Sequence, residues 1–141
     1  MANDTGDFAR SMSIATSGLR AQAGRMRVIS ENIANADSTA SNAGGDPYRR
    51  KVPTFSSALD RTLDAKVVTL GRIRSDTSAF RVKHEPSNPA ADTAGNVKYP
   101  NVNPLIEMTD MREAQRSYEA NLNIISATRR MIQRTLDILK A

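Results

Sequence analysis

Apolar residues recur at alternating spacings of three and four in two stretches, one near each end of the chain. The first stretch runs from Phe8 to Ile33 and the second from Met108 to Leu139. A repeat of about 3.5 residues keeps one narrow apolar stripe along a helix, which is typical of helices that pair as a coiled coil. We therefore predict one long helix near each terminus.

The polar residues that flank these stretches predict where the helices begin and end. Asp and Thr residues suit a helix start, so the first helix is expected to begin near Asp4–Asp7 and to end at about Asn35. Asn103 followed by Pro104 is a strong start signal for the second helix, with the asparagine as cap and the proline at the first position.

The segment between the helices predicts loops and a small amount of β-structure. Residues 36–47 are nearly all small or polar and include Gly and Pro, which favours a loop, and the proline-rich residues 86–103 favour an extended linker. Within 52–65, apolar residues four apart suggest a short helix. Residues 66–85 are rich in β-branched and alternating residues and predict a hairpin that turns at 75–78.

These elements predict a mainly α fold with a small β part. The long N- and C-terminal helices are expected to pair as a coiled coil, with a central loop and β-hairpin segment between them. We predict that residues 1–35 and 104–141 form one coiled-coil domain, and that residues 36–103 form a central loop and β-rich segment with an extended linker.

The net charge of +5 is concentrated in the middle of the chain, because residues 49–83 hold nine basic and three acidic side chains. Tyr48 followed by Arg49, Arg50 and Lys51 is the best candidate for a nucleic-acid contact, since the ring could stack on a base and the cations could meet phosphates. An alternative function is therefore a coiled-coil regulator that binds nucleic acid through this patch.

Candidate catalytic and metal-binding residues are few. The chain has no cysteine, and its one histidine, His84, has no second ligand at a metal-site spacing. Glu107, Asp110 and Glu113 fit the solvated first turns of a helix, where carboxylates complement the helix dipole. We predict no enzyme activity, no cofactor, no metal site and no membrane insertion, and the first residues lack the pattern of a cleaved secretory signal.

Three stretches resemble the flagellar axial proteins, the family of rod and hook subunits. They are Ser17–Ala21 with Ile29–Ala36, the step Pro47–Lys51, and Val97–Met108 continued by Met111 and Ala114–Asn121. The last stretch and the short length are most similar to the C-type proximal-rod branch. The resemblance covers about residues 8–141 and implies a structural subunit of the bacterial flagellar basal-body rod, the periplasmic drive shaft that transmits torque.

The resemblance also implies partners, a location and an assembly surface. The expected partners are other rod proteins, further copies of the chain in a helical tube, the type III export apparatus during secretion and the basal-body rings, with no nucleic acid. The expected location is the periplasmic rod, reached without cleavage of a signal peptide. The residues expected at subunit contacts are Met12, Leu19, Met26, Ile29, Asn32, Ile33, Asn35, Tyr48, Arg49, Met108, Met111, Tyr118, Asn121, Leu122, Ile125, Ile132, Leu136 and Leu139.

Overall fold

The computed structural model has two long helices at the ends of the sequence and four strands between them. It describes residues 2–140, with their side chains from residue 6 onward. The predicted mainly α fold with a small β part is confirmed. Residues 1 and 141 of the predicted helical domain lie outside the described residues. The elements are α1 Ala2–Ala34, β1 Lys51–Asp60, β2 Ala65–Ser75, β3 Arg81–His84, β4 Asn96–Tyr99 and α2 Pro104–Lys140.

The predicted start of α2 is confirmed, whereas α1 begins earlier than predicted. Asn103 Oδ1 accepts the amide of Leu105 at 3.1 Å, and the Asn103 carbonyl accepts the first intrahelical bond from Glu107. A side-chain cap favours a helix start but does not force one, so α1 continues back to Ala2 past the predicted acidic cap. At its other end, Asn35 Nδ2 donates to the Glu31 carbonyl at 2.8 Å and closes the last turn.

The predicted short helix within 52–65 is wrong, because most of this segment is strand β1, which pairs with β2. The spacing of Phe55 and Leu59 is even, so it fits one face of a strand as well as one face of a helix. Cross-strand bonds decide the outcome. Thr54 Oγ1 donates to the Arg72 carbonyl at 2.7 Å, and the hydroxyls of Ser56 and Thr69 lie 2.9 Å apart.

The predicted hairpin over 66–85 has the wrong pairing, although both of its predicted strands exist. β2 pairs with β1, and β3 pairs antiparallel with β4, with Arg81 opposite Tyr99. The segment expected to turn is held elsewhere, because the Asp76 amide donates to the Arg50 carbonyl at 2.8 Å. Asn101 Nδ2 also reaches the Asp76 carbonyl at 3.1 Å, so long-range bonds outweigh the local turn signal.

The predicted linker over 86–103 is only partly correct, since it contains strand β4. Val97 is completely buried and packs with Ala90 and Tyr99 in a small core. Tight turns before β4 use Gly95, whose φ of +78° favours glycine, and Asp92, whose carboxylate accepts the amides of Ala94 and Asn96. Between α1 and β1, the predicted loop carries no helix or strand.

The chain packs into two compact units, each containing parts of both helices. One comprises residues 2–26, 54–72 and 113–140, and its buried side chains include Ala15, Ala21 and Ala114. The other comprises residues 27–53 and 73–112. Its core contains Val28, Ile29, Ala36, Ala90, Val97, Tyr99 and Val102. Compact packing does not establish independent folding, so the predicted division into a coiled-coil domain and a separate central segment stays a prediction.

Candidate functional site

A buried polar cluster occupies the second unit, where the end of α1 meets the start of α2. Asn32 and Glu107 are each only 1% exposed, and Asn32 Nδ2 donates to Glu107 Oε2 at 3.0 Å although the residues are 75 positions apart. Buried polar groups are costly unless hydrogen-bonded, so the partners around this pair matter. We name the whole cluster the polar junction; its members are Asn32, Tyr48, Arg50, Lys51, Asn101 and Glu107.

Asn32 ties α1 to the chain that leads into β1. Its amide pairs with the Lys51 backbone in both directions, donating to the carbonyl at 2.8 Å and accepting from the amide at 2.9 Å. The Tyr48 hydroxyl donates to the same Asn32 oxygen at 2.8 Å. With Glu107 as a further acceptor, both ends of the Asn32 amide are fully used. An aspartate could not reproduce this set, because it cannot donate.

Glu107 and Arg50 form the charged centre of the polar junction. Arg50 Nε donates to Glu107 Oε1 at 2.6 Å, and the Arg50 guanidinium also lies 3.6 Å from Asp76 and 3.7 Å from Asp110. The Arg50 side chain is 23% exposed, so this is a partly buried ion-pair network with three carboxylates around one cation. Glu107 is the most buried of the three carboxylates, so the network joins the start of α2 to the chain that leads into β1 through a charge pair shielded from water.

Asn101 and Arg49 hold the neighbouring backbone in place. Asn101 Oδ1 accepts the Arg50 amide at 2.8 Å, while its Nδ2 donates to the Ser78 hydroxyl, also at 2.8 Å. The Arg49 guanidinium stacks 4.2 Å from the ring centre of Phe80. Lys51 pairs with Glu31 on α1. All three cations of the candidate nucleic-acid patch therefore have partners inside the protein.

The electrostatics of the polar junction raise the pKa values of two of its members, Arg50 and Tyr48. Burial opposes the charge on Arg50, but its hydrogen bond to Glu107 and the carboxylates of Glu107, Asp76 and Asp110 together raise the pKa of Arg50 above its ordinary value. Burial, followed by the negative charges of Glu31 and Glu107, raises the pKa of Tyr48 to about 12. Tyr48 therefore remains a neutral donor to Asn32 over the physiological pH range.

In the first unit, α1 and α2 approach closely through a glycine. A Cβ atom at Gly18 would lie only 2.8 Å from Asn121 Nδ2, so the glycine makes room for the asparagine side chain. About two helical turns further along each helix, Arg25 lies 3.5 Å from Glu113. Residue numbers rise along one helix as they fall along the other, so the two helices run antiparallel here.

The same unit has an apolar groove between the first turns of α1 and the last turns of α2. Its volume is about 290 Å³. It is lined by Phe8, Ala9, Met12, Ile132, Thr135, Leu136 and Leu139. Apolar side chains from the predicted apolar stripes of both helices therefore face each other at this end of the helix pair without filling the space between them.

The structure places the residues predicted for subunit contacts in three classes of exposure. Those buried are Ile29 and Asn32. Those half-buried are Met12, Leu19, Met26, Ile33, Asn35, Tyr48, Arg49, Met111, Tyr118, Asn121, Ile125 and Ile132. Those exposed are Met108, Leu122, Leu136 and Leu139. Only Asn32 and Tyr48 of this set meet in the polar junction, and the role of the set in assembly stays a prediction.

Sequence reasoning missed the roles of two important members of these contacts, Glu107 and Arg50. The prediction that Glu107 is a solvated first-turn carboxylate is wrong, because its side chain is buried against Arg50 and Asn32. The three-and-four spacing assigns Met108 to the apolar stripe of α2, and its neighbour Glu107 points about 100° away around the helix, so the stripe does not include Glu107. Glu107, Ala114 and Asn121 are seven residues apart, and this spacing could have indicated that Glu107 lies on the same inward face of α2 as the other two residues.

Features of a catalytic metal centre or a membrane span are missing from the part of the chain that the structure describes. No group of three or more His, Asp or Glu side chains there is arranged to hold a metal ion. His84 is exposed and its Nδ1 lies 3.2 Å from Asn96 Oδ1. Neither α1 nor α2, over residues 2–140, has an apolar stretch long enough to cross a bilayer.

Comparison with known proteins gives matches at both ends of the chain and along nearly its full length. Residues 12–40 match the family model "Flagella basal body rod protein", and residues 93–138 match "Flagellar basal body rod FlgEFG protein C-terminal". A flagellar basal-body rod protein FlgC from Agrobacterium fabrum is 54% identical over 91% of this chain and 92% of its own length. The FlgC protein of Bacillus subtilis is 38% identical over 92% of this chain and 97% of its own length. The FlgC protein of Salmonella typhimurium is 35% identical over 89% of this chain and 92% of its own length.

Proposed function

The chain belongs to the family of flagellar basal-body rod proteins of the FlgC type, and from this premise we propose how it works as a structural subunit of the rod. It assembles with other rod proteins in the basal body, as its family does. We propose that the partners include further copies of the chain as well as other rod subunits, arranged as a helical tube. Torque would then pass along the tube through interlocked helices.

The observation that carries this proposal is the exposed apolar surface of α2. A helix that packs only on its own chain shows one apolar stripe, but α2 has a wider apolar arc whose flanks remain exposed. Leu122 is 47% exposed and Ile138 is 77% exposed. The exposed large apolar side chains of α2 are Leu105, Ile106, Met108, Leu122, Ile124, Met131, Leu136, Ile138 and Leu139.

Two of these side-chain rows are spaced for contact with neighbouring helices. Ile124, Met131 and Ile138 are seven residues apart, and Leu122 and Leu136 are fourteen apart, so each row lies along one edge of the helix. Burying one such side chain contributes about 1.5–3 kcal/mol. Rows of exposed large apolar side chains along one helix favour a protein interface over a solvated face.

The polar junction supports a mechanical role because it is rigid and unsuited to chemistry. Its carboxylates are bound to a cation and to amide donors, and its hydrogen bonds join α1, the entry to β1 and the start of α2. A subunit that carries torque needs this kind of fixed connection between its helices and its central segment. The relatives are structural rod proteins, and we propose that this chain likewise has no catalytic function.

We further propose that the chain reaches the periplasmic rod through the flagellar type III export apparatus, without cleavage of a signal peptide, and that it contacts the basal-body rings. Mass spectrometry of the chain from purified basal bodies tests the first part, since an uncleaved N-terminus is expected. Loss of an N-terminal segment before incorporation would contradict it. Cross-linking of intact basal bodies, followed by identification of joined peptides, tests the ring contacts.

The alternative function, a nucleic-acid-binding regulator, has no support among the relatives. Its candidate patch is also occupied within the protein, since Arg49 stacks on Phe80, Arg50 binds Glu107 and Lys51 pairs with Glu31. A phosphate would have to displace these partners.

Substitution of one exposed apolar residue of α2 tests the proposed assembly surface. Leu122→Asp should stop rod completion and swimming in cells that carry the variant as their only copy, while the chain is still secreted. Because Leu122 is exposed in the single chain, its helical circular dichroism should be unchanged. The matched control is Asn123→Asp, an exposed polar neighbour, which should swim normally. Normal swimming of Leu122→Asp cells would overturn the assignment of this surface.

A further inference from the structure

We propose that the polar junction selects the register of α1 against α2, and that the apolar rows of the two helices cannot do so. This function concerns the pairing within one chain and does not depend on which subunits lie next to it. Three polar residues interrupt the three-and-four spacing of the apolar residues and could in principle set the register: Gln22 on α1, and Gln115 and Arg129 on α2. The proposal assigns the register to other residues.

The apolar rows cannot fix the register because they repeat. Residues such as Leu19, Met26 and Ile33 on α1 recur every seven positions. A shift of one helix by seven residues, about 10 Å at 1.5 Å per residue, places apolar side chains against apolar side chains again. Specific pairing in such helices requires a feature that occurs once, usually a polar group at a contact position.

Apart from the apolar side chains that meet in the groove, polar and small residues of the two helices face each other, and these differ from one heptad to the next. In the first unit Gly18 faces Asn121, and in the second unit Asn32 faces Glu107. On α1 the row is Gly18, Arg25 and Asn32; on α2 it is Glu107, Ala114 and Asn121. The native register is thus marked by two different contacts along the same pair of rows.

A register shifted by one heptad would also bring compatible residues of the two helices together. Sliding α2 by one heptad would bring Glu107 opposite Arg25, an opposite-charge pair, and Ala114 opposite Gly18, a close contact of small residues. What this register loses is the polar junction. Asn32 would no longer reach Glu107, and Arg50 would lose the carboxylate that its Nε contacts at 2.6 Å. The junction therefore supplies the energy gap between the two registers.

Neither Gln22, Gln115 nor Arg129 has the contacts needed for this role. Gln115 and Arg129 are exposed. The buried Oε1 atom of Gln22 has no hydrogen-bond partner within residues 6–140. A polar residue in an apolar row cannot distinguish one heptad from the next unless it has a specific partner. The polar junction therefore distinguishes the native register from a shifted one.

Distance measurement between two spin labels tests the proposal directly. The chain has no cysteine, so Ala23→Cys and Arg130→Cys, both at exposed positions, give two unique labelling sites in the full-length chain. A seven-residue slip moves one helix along the other by about 10 Å. Pulsed electron–electron double resonance should give one distance between the two labels in the otherwise native chain. A broad, unresolved distance distribution would mean that no register is selected, and it would overturn the proposal.

The decisive variant replaces the central pair with apolar residues. Asn32→Leu combined with Glu107→Leu should lower the stability, because Arg50, Tyr48 and the Lys51 backbone lose partners. It should keep the helical circular dichroism, because the backbone hydrogen bonds and the apolar contacts of both helices remain. A second distance, about 10 Å from the first, should appear in roughly a fifth or more of the molecules, since the energy gap between registers is reduced. A single native distance would overturn the proposal, and so would loss of helicity, which would make the junction a requirement for folding instead.

A transplanted pair distinguishes register selection from a general stabilising effect. Arg25→Asn combined with Asn32→Leu moves the amide one heptad along α1, so Glu107 should follow it and lengthen the main distance by about 10 Å. Retention of the native distance as the main peak would overturn the proposal. The matched control, Glu119→Leu with Asn123→Leu at exposed positions of α2, should retain one native distance.

Discussion

Removal of the Glu107 carboxylate should destabilise the protein far more than removal of a comparable surface carboxylate on the same helix. Glu107 is 1% exposed and accepts hydrogen bonds from Arg50 at 2.6 Å and from Asn32 at 3.0 Å. In Glu107→Ala both donors lose this acceptor, and a partly buried cation loses its nearest counter-charge. Breaking a buried ion pair by removing one partner costs about 3–5 kcal/mol.

The expected loss lies at the low end of that range because the remaining groups compensate in part. Arg50 keeps Asp76 and Asp110 within 3.7 Å and is partly exposed to water, and Asn32 keeps its acceptor at the Lys51 carbonyl. We expect Glu107→Ala to lower the free energy of unfolding by about 3 kcal/mol. With a slope of about 1.5 kcal/mol/M for a protein of this size, the urea midpoint should fall by about 2 M.

Urea titration followed by circular dichroism at a fixed protein concentration measures this loss. Glu113→Ala is the matched control, because Glu113 also pairs with an arginine, Arg25 at 3.5 Å, but its side chain is 66% exposed. That substitution should cost less than about 1 kcal/mol. A loss for Glu107→Ala below about 1 kcal/mol, or equal to that of Glu113→Ala, would refute the view that the polar junction is a buried and coupled network.

Three further outcomes follow from single contacts. Gly18→Ala should be neutral or destabilising in the native chain, because its Cβ meets Asn121. In an Asn121→Ala background the same substitution should stabilise the protein by about 0.5–1 kcal/mol through helix propensity. Additive effects of the two substitutions in this double-mutant cycle would contradict the close contact. Because the pKa of Tyr48 is raised to about 12, its contribution to stability is fully present below its ordinary pKa and is lost as pH rises from about 10 through about 12. Tyr48→Phe should reduce the loss of stability measured by urea titration across that window, while the part due to Tyr99, whose pKa is also raised, remains. An unchanged loss would rule out the contribution of Tyr48. Hydrogen bonds from the Ser78 backbone and side chain lower the pKa of Asp76. Its contribution to stability is therefore present above the ordinary pKa of an aspartate and is lost as pH falls through the lowered pKa of the folded state. Asp76→Asn should reduce the loss of stability at acid pH in urea titrations, and an identical acid profile would contradict this.

The sequence predicted the long helices because their signals are local and repeated. The period of about 3.5 residues persists over many turns, and Asn103 with Pro104 marks the start of α2 by a geometry that two adjacent residues determine. The β-branched run of β2 was recognised for the same reason. Each of these elements would be favoured by its own residues even without the rest of the chain.

The errors lie where partners distant in sequence decide the structure. Phe55 and Leu59 fit a helix or a strand, and only the bonds to β2 select the strand. The turn signal at 75–78 predicted a hairpin, but the Arg50 carbonyl and the Asn101 side chain hold that backbone instead. Hydrophobic period and turn chemistry contain no information about such partners, so strand pairing could not be predicted from them.

The same reasoning explains why the polar junction was missed although several of its residues belong to the recognised motifs. Asn32, Tyr48 and Glu107 lie in three separate stretches that each resemble the family, and the fold brings them within hydrogen-bonding distance. A period analysis assigns the inward face of a helix to its apolar residues, and it therefore favoured Met108 over Glu107. That rule holds for a helix whose only partner is its own chain.

A subunit of a polymer satisfies two demands that a single globule does not face together. Its helices must find each other in one register before assembly, and they must still offer apolar surface to neighbours afterwards. If the apolar rows served the internal pair, burial would remove them from assembly, and their seven-residue repeat would leave the register degenerate. Asn32, Glu107 and the close Gly18–Asn121 contact serve the internal pair, and Leu122, Ile124, Met131 and Ile138 remain exposed for the assembly surface that we propose. The placement of a carboxylate inside and leucines outside is therefore what the two demands require together.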